Sequence, residues 1–206
     1  MNSLLKWSVE NSTNPQADPE AAARGLNPEL LSSLFGGPSE ADLMKESMAA
    51  ILSDDPEMDI EAKLVAFDNF EQLIENLDNA NLMEPLQLWP SLISLLEHEE
   101  AEMRKYAAWC VGTAVQNNTK SQDMLVKEGG IKPLVNMATK EGEDTQVRRK
   151  AVYALSSALR NMQEAMDVFV EEMKAKGRNF GVVDAGDMDA VDGIINDLRE
   201  AAKCSQ

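Results

Sequence analysis

Apolar residues recur every three or four positions along most of this 206-residue chain, and sustained strand-type alternation is missing. The clearest stretch covers residues 129–161, GGIKPLVNMATKEGEDTQVRRKAVYALSSALRN. Its first half sets Ile131, Leu134, Val135 and Ala138 at helical spacing behind Gly129 and Gly130, with Pro133 in the first turn, where a missing N–H costs no hydrogen bond. Its second half forms an apolar face from Val147, Ala151, Ala154, Leu155, Ala158 and Leu159, and Arg148, Arg149, Lys150 and Arg160 fall outside it. Helices this short are marginal alone, so both faces need burial against further helices.

Those further helices are visible upstream. Residues 103–117, MRKYAAWCVGTAVQN, align without gaps on 147–161, with Arg104/Arg148, Ala107/Ala151, Ala114/Ala158 and Asn117/Asn161 identical. Residues 89–96 align on 131–138 at a slightly shorter spacing, giving a period of roughly 42–44 residues, in the armadillo and HEAT range. The fuller copy, GG-I-x-P-L-V followed by V-R-x-x-A-x-x-A-L, has the armadillo form. The expected fold is all-α: a right-handed, armadillo-like superhelical solenoid of short form, with about two complete repeats. Leu155, Ala151, Leu134, Ala114 and Val111 are expected between its layers.

The rest of the chain divides around this array. Residues 1–37 read as a flexible segment with two short helices, one carrying Leu4, Leu5 and Trp7, the other opened by Asn27-Pro28 and stopped by Gly36-Gly37-Pro38. Residues 38–176 read as the helical repeat region. In it, Ser39 and Asp42 resemble a capping box, and Asp59 caps a helix expected over 60–76 with Leu64, Phe67, Phe70, Ile74 and Leu77 on one face. Lys63, Ala66 and Asn76 fall where Arg104, Ala107 and Asn117 fall later, so this helix reads as the end of a degenerate first repeat. Residues 177–206 read as a Gly- and Asp-rich link followed by a helix with Val191, Ile194, Ile195 and Leu198 on its face, expected to cap the stack.

Composition narrows the function. Nineteen Lys and Arg stand against 36 Asp and Glu, a formal charge of −17, which repels a phosphate backbone and argues against a nucleic-acid partner. Two cysteines, Cys110 in an apolar run and Cys204 near the end, make neither a disulfide framework nor a zinc site. No stretch approaches the apolar length of a membrane span, so a cytoplasmic protein is expected. The single histidine, His98, sits among Glu97, Glu99 and Glu100 and reads as solvated. The methionines at 44, 48, 103, 124, 137, 162 and 166 read as core filler. With no phosphate-binding loop, nucleophile elbow or dinucleotide fingerprint, neither an enzyme activity nor a cofactor is expected.

One resemblance is more specific than the repeat. The run LVAFDNFEQLIENLDNANLMEPLQLWPSLISLL at 64–96, together with SLLKWSVENS, NPELLSSLFGGP and LMKESM nearer the N-terminus, closely resembles the fungal armadillo-type nucleotide exchange factors of the heat-shock 70-kDa chaperones, relatives of the animal protein that binds this chaperone. The resemblance implies a helical stack that embraces one lobe of the chaperone ATPase domain, opens the nucleotide cleft and releases ADP. It implies a docking face along the last helix of each unit, with Asn76, Asn79, Ala80 and Asn81 at its start and Arg104, Trp109, Arg148 and Tyr153 along it, Ala80 lying outside the core. It implies that the segment around Leu4, Leu5 and Trp7 imitates substrate at the chaperone's substrate-binding domain, and that the protein acts as a monomer. Family members are expected to run on through about two more repeats where this chain has residues 177–206. The rival reading is a peptide-binding adaptor or scaffold of the nuclear-import kind, whose ladder of Trp and Asn is matched here only by Trp109 with Thr113 and Tyr153 with Ser157.

Overall fold

The computed structural model describes residues 37–203, and they contain helices and turns with no strand among them. The helices are α1 (Glu40–Ile51), α2 (Ile60–Ile74), α3 (Leu77–Leu82), α4 (Trp89–Ser94), α5 (Ala101–Val115), α6 (Thr119–Lys127), α7 (Ile131–Thr139), α8 (Thr145–Leu159), α9 (Gln163–Ala175) and α10 (Met188–Lys203). A single 3-10 turn, Leu95–Glu97, continues α4. The segment with Leu4, Leu5 and Trp7 lies outside the described residues.

Local chemistry accounts for the boundaries. Asp59 accepts the Ala62 N–H at 2.8 Å to start α2, Asn118 accepts the Ser121 N–H to start α6, and Asp144 accepts from Gln146 and Val147 to start α8. Asn117 and Asn161, identical in the repeat alignment, have φ of 52° and 56° just past the ends of α5 and α8. Asparagine tolerates this left-handed conformation better than other side chains with a Cβ, so the identity marks a shared helix stop. Asn76 does not share it: at φ −73° it is instead the cap of α3, accepting the Asp78 N–H. The helix expected over 60–76 therefore ends at Ile74 and restarts, which leaves Leu77 outside the core at 55% exposure.

Packing follows chain order. Among the longer helices, α2 packs on α5, α5 on α8, and α8 on α10, while α1 packs on α2, and α7 fills in behind α8 and against α9. The apolar faces meet in one core that includes Phe67, Phe70, Trp89, Val111, Ala114, Leu134, Ala151, Leu155 and Phe169. Burying a Leu or Phe side chain contributes about 1.5–3 kcal/mol. The methionines at 44, 48, 103, 137, 162 and 166 are buried in it, and Met124 is partly buried. The α5–α8 interface is close: a Cβ on Gly112 would lie 2.4 Å from Tyr153 Cε1 and 3.1 Å from the Ala154 Cα. Val191, Ile194, Ile195 and Leu198 of α10 are buried where it packs against α8 and α7.

Candidate docking cleft

The repeat alignment sets Tyr106 opposite Lys150 and Trp109 opposite Tyr153, so two neighbouring helices carry side chains at the same pair of positions three residues apart. In the structure these interleave into one stack. Phe67 and Tyr106 ring centroids are 5.7 Å apart, Tyr106 and Trp109 are 5.7 Å apart, and the Lys150 ammonium lies 4.0 Å from the Trp109 centroid and 5.7 Å from that of Tyr153. A cation held over aromatic faces is attracted by their quadrupoles, and more strongly where water is excluded. Burial lowers the Lys150 pKa, countered in part by the Glu71 carboxylate.

Glu71 is a carboxylate at only 5% exposure, and the Thr113 hydroxyl donates to it at 2.6 Å. Burial of Cys110 beside it, reinforced by the charges of Glu71 and Asp68, pushes that thiol well above its ordinary pKa, so Cys110 is an unreactive part of the core. Glu71, Glu75, Trp109, Thr113, Gln116, Asn117 and Tyr153 together line a cleft of about 560 Å³. Gln116, Asn117 and Tyr153 also border a second hollow of about 480 Å³ that runs on to Ser157, Arg160, Asn161 and Arg199. The far wall is braced by Gln122 of α6, whose amide donates to the Ser157, Ala158 and Arg160 carbonyls at the end of α8. The furrow thus offers aromatic faces, amides and carboxylates on a rigid helical frame, the composition of a protein-binding surface.

Of the residues expected on the docking face, Trp109 and Tyr153 share this cleft. The others lie elsewhere. Ala80 is 2% exposed and belongs to the core, which corrects the expectation that it stands outside it. Asn79 is buried and donates to the Leu73 carbonyl at 2.9 Å, Asn76 caps α3, and Asn81 is half-buried with its side-chain oxygen unpaired. These four build the α2–α3 corner and do not line the cleft. Arg104 is an internal clamp: it donates to the His98 and Glu99 carbonyls and pairs with the buried Glu143. Arg148 is buried and gives its Nε–H to the Ala138 carbonyl at 3.2 Å. Glu71 and Gln116 are cleft residues that sequence reasoning passed over, as was Lys150, which packs on two of the cleft's aromatic rings. The repeated three-residue spacing Tyr106/Trp109 and Lys150/Tyr153 was the signal for Lys150; Glu71 had none, because a carboxylate on α2 reads as solvated surface.

Residues 1–83 match the family described as nucleotide exchange factor Fes1, and residues 79–173 match the SIL1/FES1/HPBP1 C-terminal domain. The Hsp70 nucleotide exchange factor FES1 of Gibberella zeae is 59% identical over 97% of this chain and 95% of its own length. The chain belongs to the Fes1 family. A Neurospora crassa member, Hsp70 nucleotide exchange factor fes-1, is 51% identical over 98% of both chains. The Saccharomyces cerevisiae Fes1 is 50% identical over 68% of this chain but only 48% of its own length. The expectation that family members run on well beyond this chain thus does not hold for the first two, which this chain spans almost end to end, whereas the last is about twice as long as the part matched. Among solved structures, an engineered protein shares the fold with a TM-score of 0.57 at 17% identity, over 97% of this chain and 80% of its own.

Proposed function

We propose that this chain is a nucleotide exchange factor of Hsp70 that docks on the chaperone's ATPase domain through the furrow along α2, α5 and α8. The observation that carries this reading is the 59% identity, over nearly the whole of both chains, to a protein named an Hsp70 nucleotide exchange factor. The order of helices supports an armadillo-like superhelix, since α5 and α8 are equivalent members of a repeat and pack directly on each other. On this reading α10 closes the last repeat against solvent, and the chain works as a monomer in the cytosol. Among the described residues, no helix is long and apolar enough to cross a membrane.

Exchange by leverage requires binding energy that differs between open and closed chaperone, because a ligand indifferent to the two states shifts nothing. Trp109, Tyr153 and the carboxylates of Glu71 and Glu75 supply directional contacts on a frame too well packed to follow both shapes. The segment with Leu4, Leu5 and Trp7 would then contact the substrate-binding domain and speed polypeptide release. Stopped-flow release of a fluorescent ADP from full-length Hsp70 tests the proposal. The chain should accelerate release in a saturable way; an unchanged rate at saturating chain would refute it.

A further inference from the structure

We propose that a small pocket between α7, α8, the turn after α9, and α10 is an oxyanion site that takes a phosphate group. The pocket, about 240 Å³, is lined by Thr139, Arg148, Lys176, Arg178, Leu198 and their neighbours. It is separate from the docking furrow, and the proposal does not rest on the chaperone reading.

Three cations converge here in a chain where acids outnumber bases 36 to 19. The first is the decisive one. Arg148 is 6% exposed, and a charge that is nine-tenths buried normally has its partners beside it. Its Nε–H goes to the Ala138 carbonyl, but neither terminal nitrogen has an acceptor among the described residues. Three other partly buried cations among the described residues are provided for: Arg104 has Glu143 and two carbonyls, Arg160 has Asp192, and Lys150 has aromatic faces. The Arg148 fork has no acceptor from the described protein atoms, and Arg148 lines the pocket. Two parallel N–H donors match two oxygens of a phosphate.

The other two cations are placed by backbone geometry. Gly177, at φ 81°, ends α9 in a tight turn in which the Arg178 N–H returns to the Met173 carbonyl at 2.9 Å. That turn brings Lys176 and Arg178 to the pocket together. Lys176 has no ion pair among the described residues, and Arg178 reaches Asp197 only at 3.9 Å and lies 5.6 Å from the Phe180 ring centroid. Leu198 of α10 supplies an apolar wall, which strengthens the attraction between the cations and an entering anion. The charge suits a dianion better than a single carboxylate. The volume suits one phosphate group, below the size of pockets that enclose whole small-molecule ligands.

The test is an NMR titration of the isotope-labelled full chain with inorganic phosphate at constant ionic strength, repeated with a phosphoserine peptide and its unphosphorylated form. Saturable shifts confined to the amides of Thr139, Arg148, Lys176, Arg178 and Ala201 are expected. Replacing Lys176→Gln and Arg178→Gln together should weaken binding at least tenfold; neither side chain is in the core, so the helical spectrum should not change. Tighter binding of the phosphopeptide than of inorganic phosphate would identify the source as a modified protein, and the reverse order would identify the free anion. Shifts that do not saturate, that spread over the surface lysines, or that persist in the double variant would overturn the proposal.

Discussion

The Lys150 ammonium and the Trp109 ring, on adjacent helices, lie 4.0 Å apart from charge to centroid. This contact fixes the orientation of the largest aromatic side chain in the docking furrow, because Lys150 is itself held between Trp109 and Tyr153. Replacing Trp109→Ala should reduce affinity for the Hsp70 ATPase domain at least tenfold, the scale of an interface hot spot. Lys150→Gln should give a smaller loss through a mobile indole. Calorimetric titration measures both, with circular dichroism to show that the helices persist. Unchanged affinity in both variants would remove the furrow from the interface.

Ala80→Arg is not a clean probe of that interface, because Ala80 is in the core. Burying an unpaired guanidinium there should lower stability by several kcal/mol. Urea denaturation measures this; a variant as stable as the parent would mean that α3 can shift outward to release the side chain.

Gly112 is kept by the approach of α5 to α8. Alanine is the better helix former by about 1 kcal/mol, but the added methyl would have to displace the Tyr153 ring and press on the Ala154 backbone. Overpacking of this kind costs about 1–3 kcal/mol, so Gly112→Ala should be neutral to destabilising and Gly112→Val clearly destabilising. Since Tyr153 is the side chain displaced, both should also weaken docking on the ATPase domain. Thermal melts combined with ATPase-domain binding would expose the error if Gly112→Val gained stability.

Glu143 gives a pH signature. Its burial would raise the carboxyl pKa, but the hydrogen bonds from Arg104 and the Asp144 N–H, with the charges of Arg104 and Lys140, hold it below its ordinary value of 4.5. A carboxylate whose pKa is lower in the folded state adds stability above its unfolded pKa and loses it as the pH falls through the folded one. Glu143→Gln should therefore cost roughly 1–3 kcal/mol at neutral pH, the scale of a hydrogen bond to a charged group. That difference should shrink only below about pH 4.5. Urea midpoints between pH 3 and 7 on both proteins check the sign; a gap that widened on acidification would contradict the ion-pair assignment.

Helix α10 buries Val191, Ile195 and Leu198 in its packing on α8 and α7. Ile195→Asp would set a carboxylate in that interface and should destabilise the protein by several kcal/mol. If α10 detaches as a unit, hydrogen exchange will rise over α10 first and over α8 afterwards. Full protection of α10 in a folded Ile195→Asp protein would argue against this packing.

Much of this molecule is written in local pattern. The helical period, the caps at Asp59 and Asp144, Pro133 in a first turn and the paired Asn117 and Asn161 all act within a few residues, so they locate helices and their ends without reference to the rest of the chain. The repeat alignment extends that reach, because two copies of one pattern must bury equivalent faces, and Ala151, Leu155, Leu134, Ala114 and Val111 are all in the core. Partnership across helices is different. Arg104 and Arg148 occupy one repeat position, yet the first is closed off by Glu143 from the loop before α8, and the second faces a pocket completed by the turn after α9 and by α10. Ala80 and Asn79 carry the small and polar character of a surface and are buried, because α3 is too short to hold its own backbone and side chains away from α2, α5 and α6. Sequence determined which segments are helical and which faces seek cover; the order of stacking decided which charges were left facing outward, because burial and pairing depend on residues far apart in the chain.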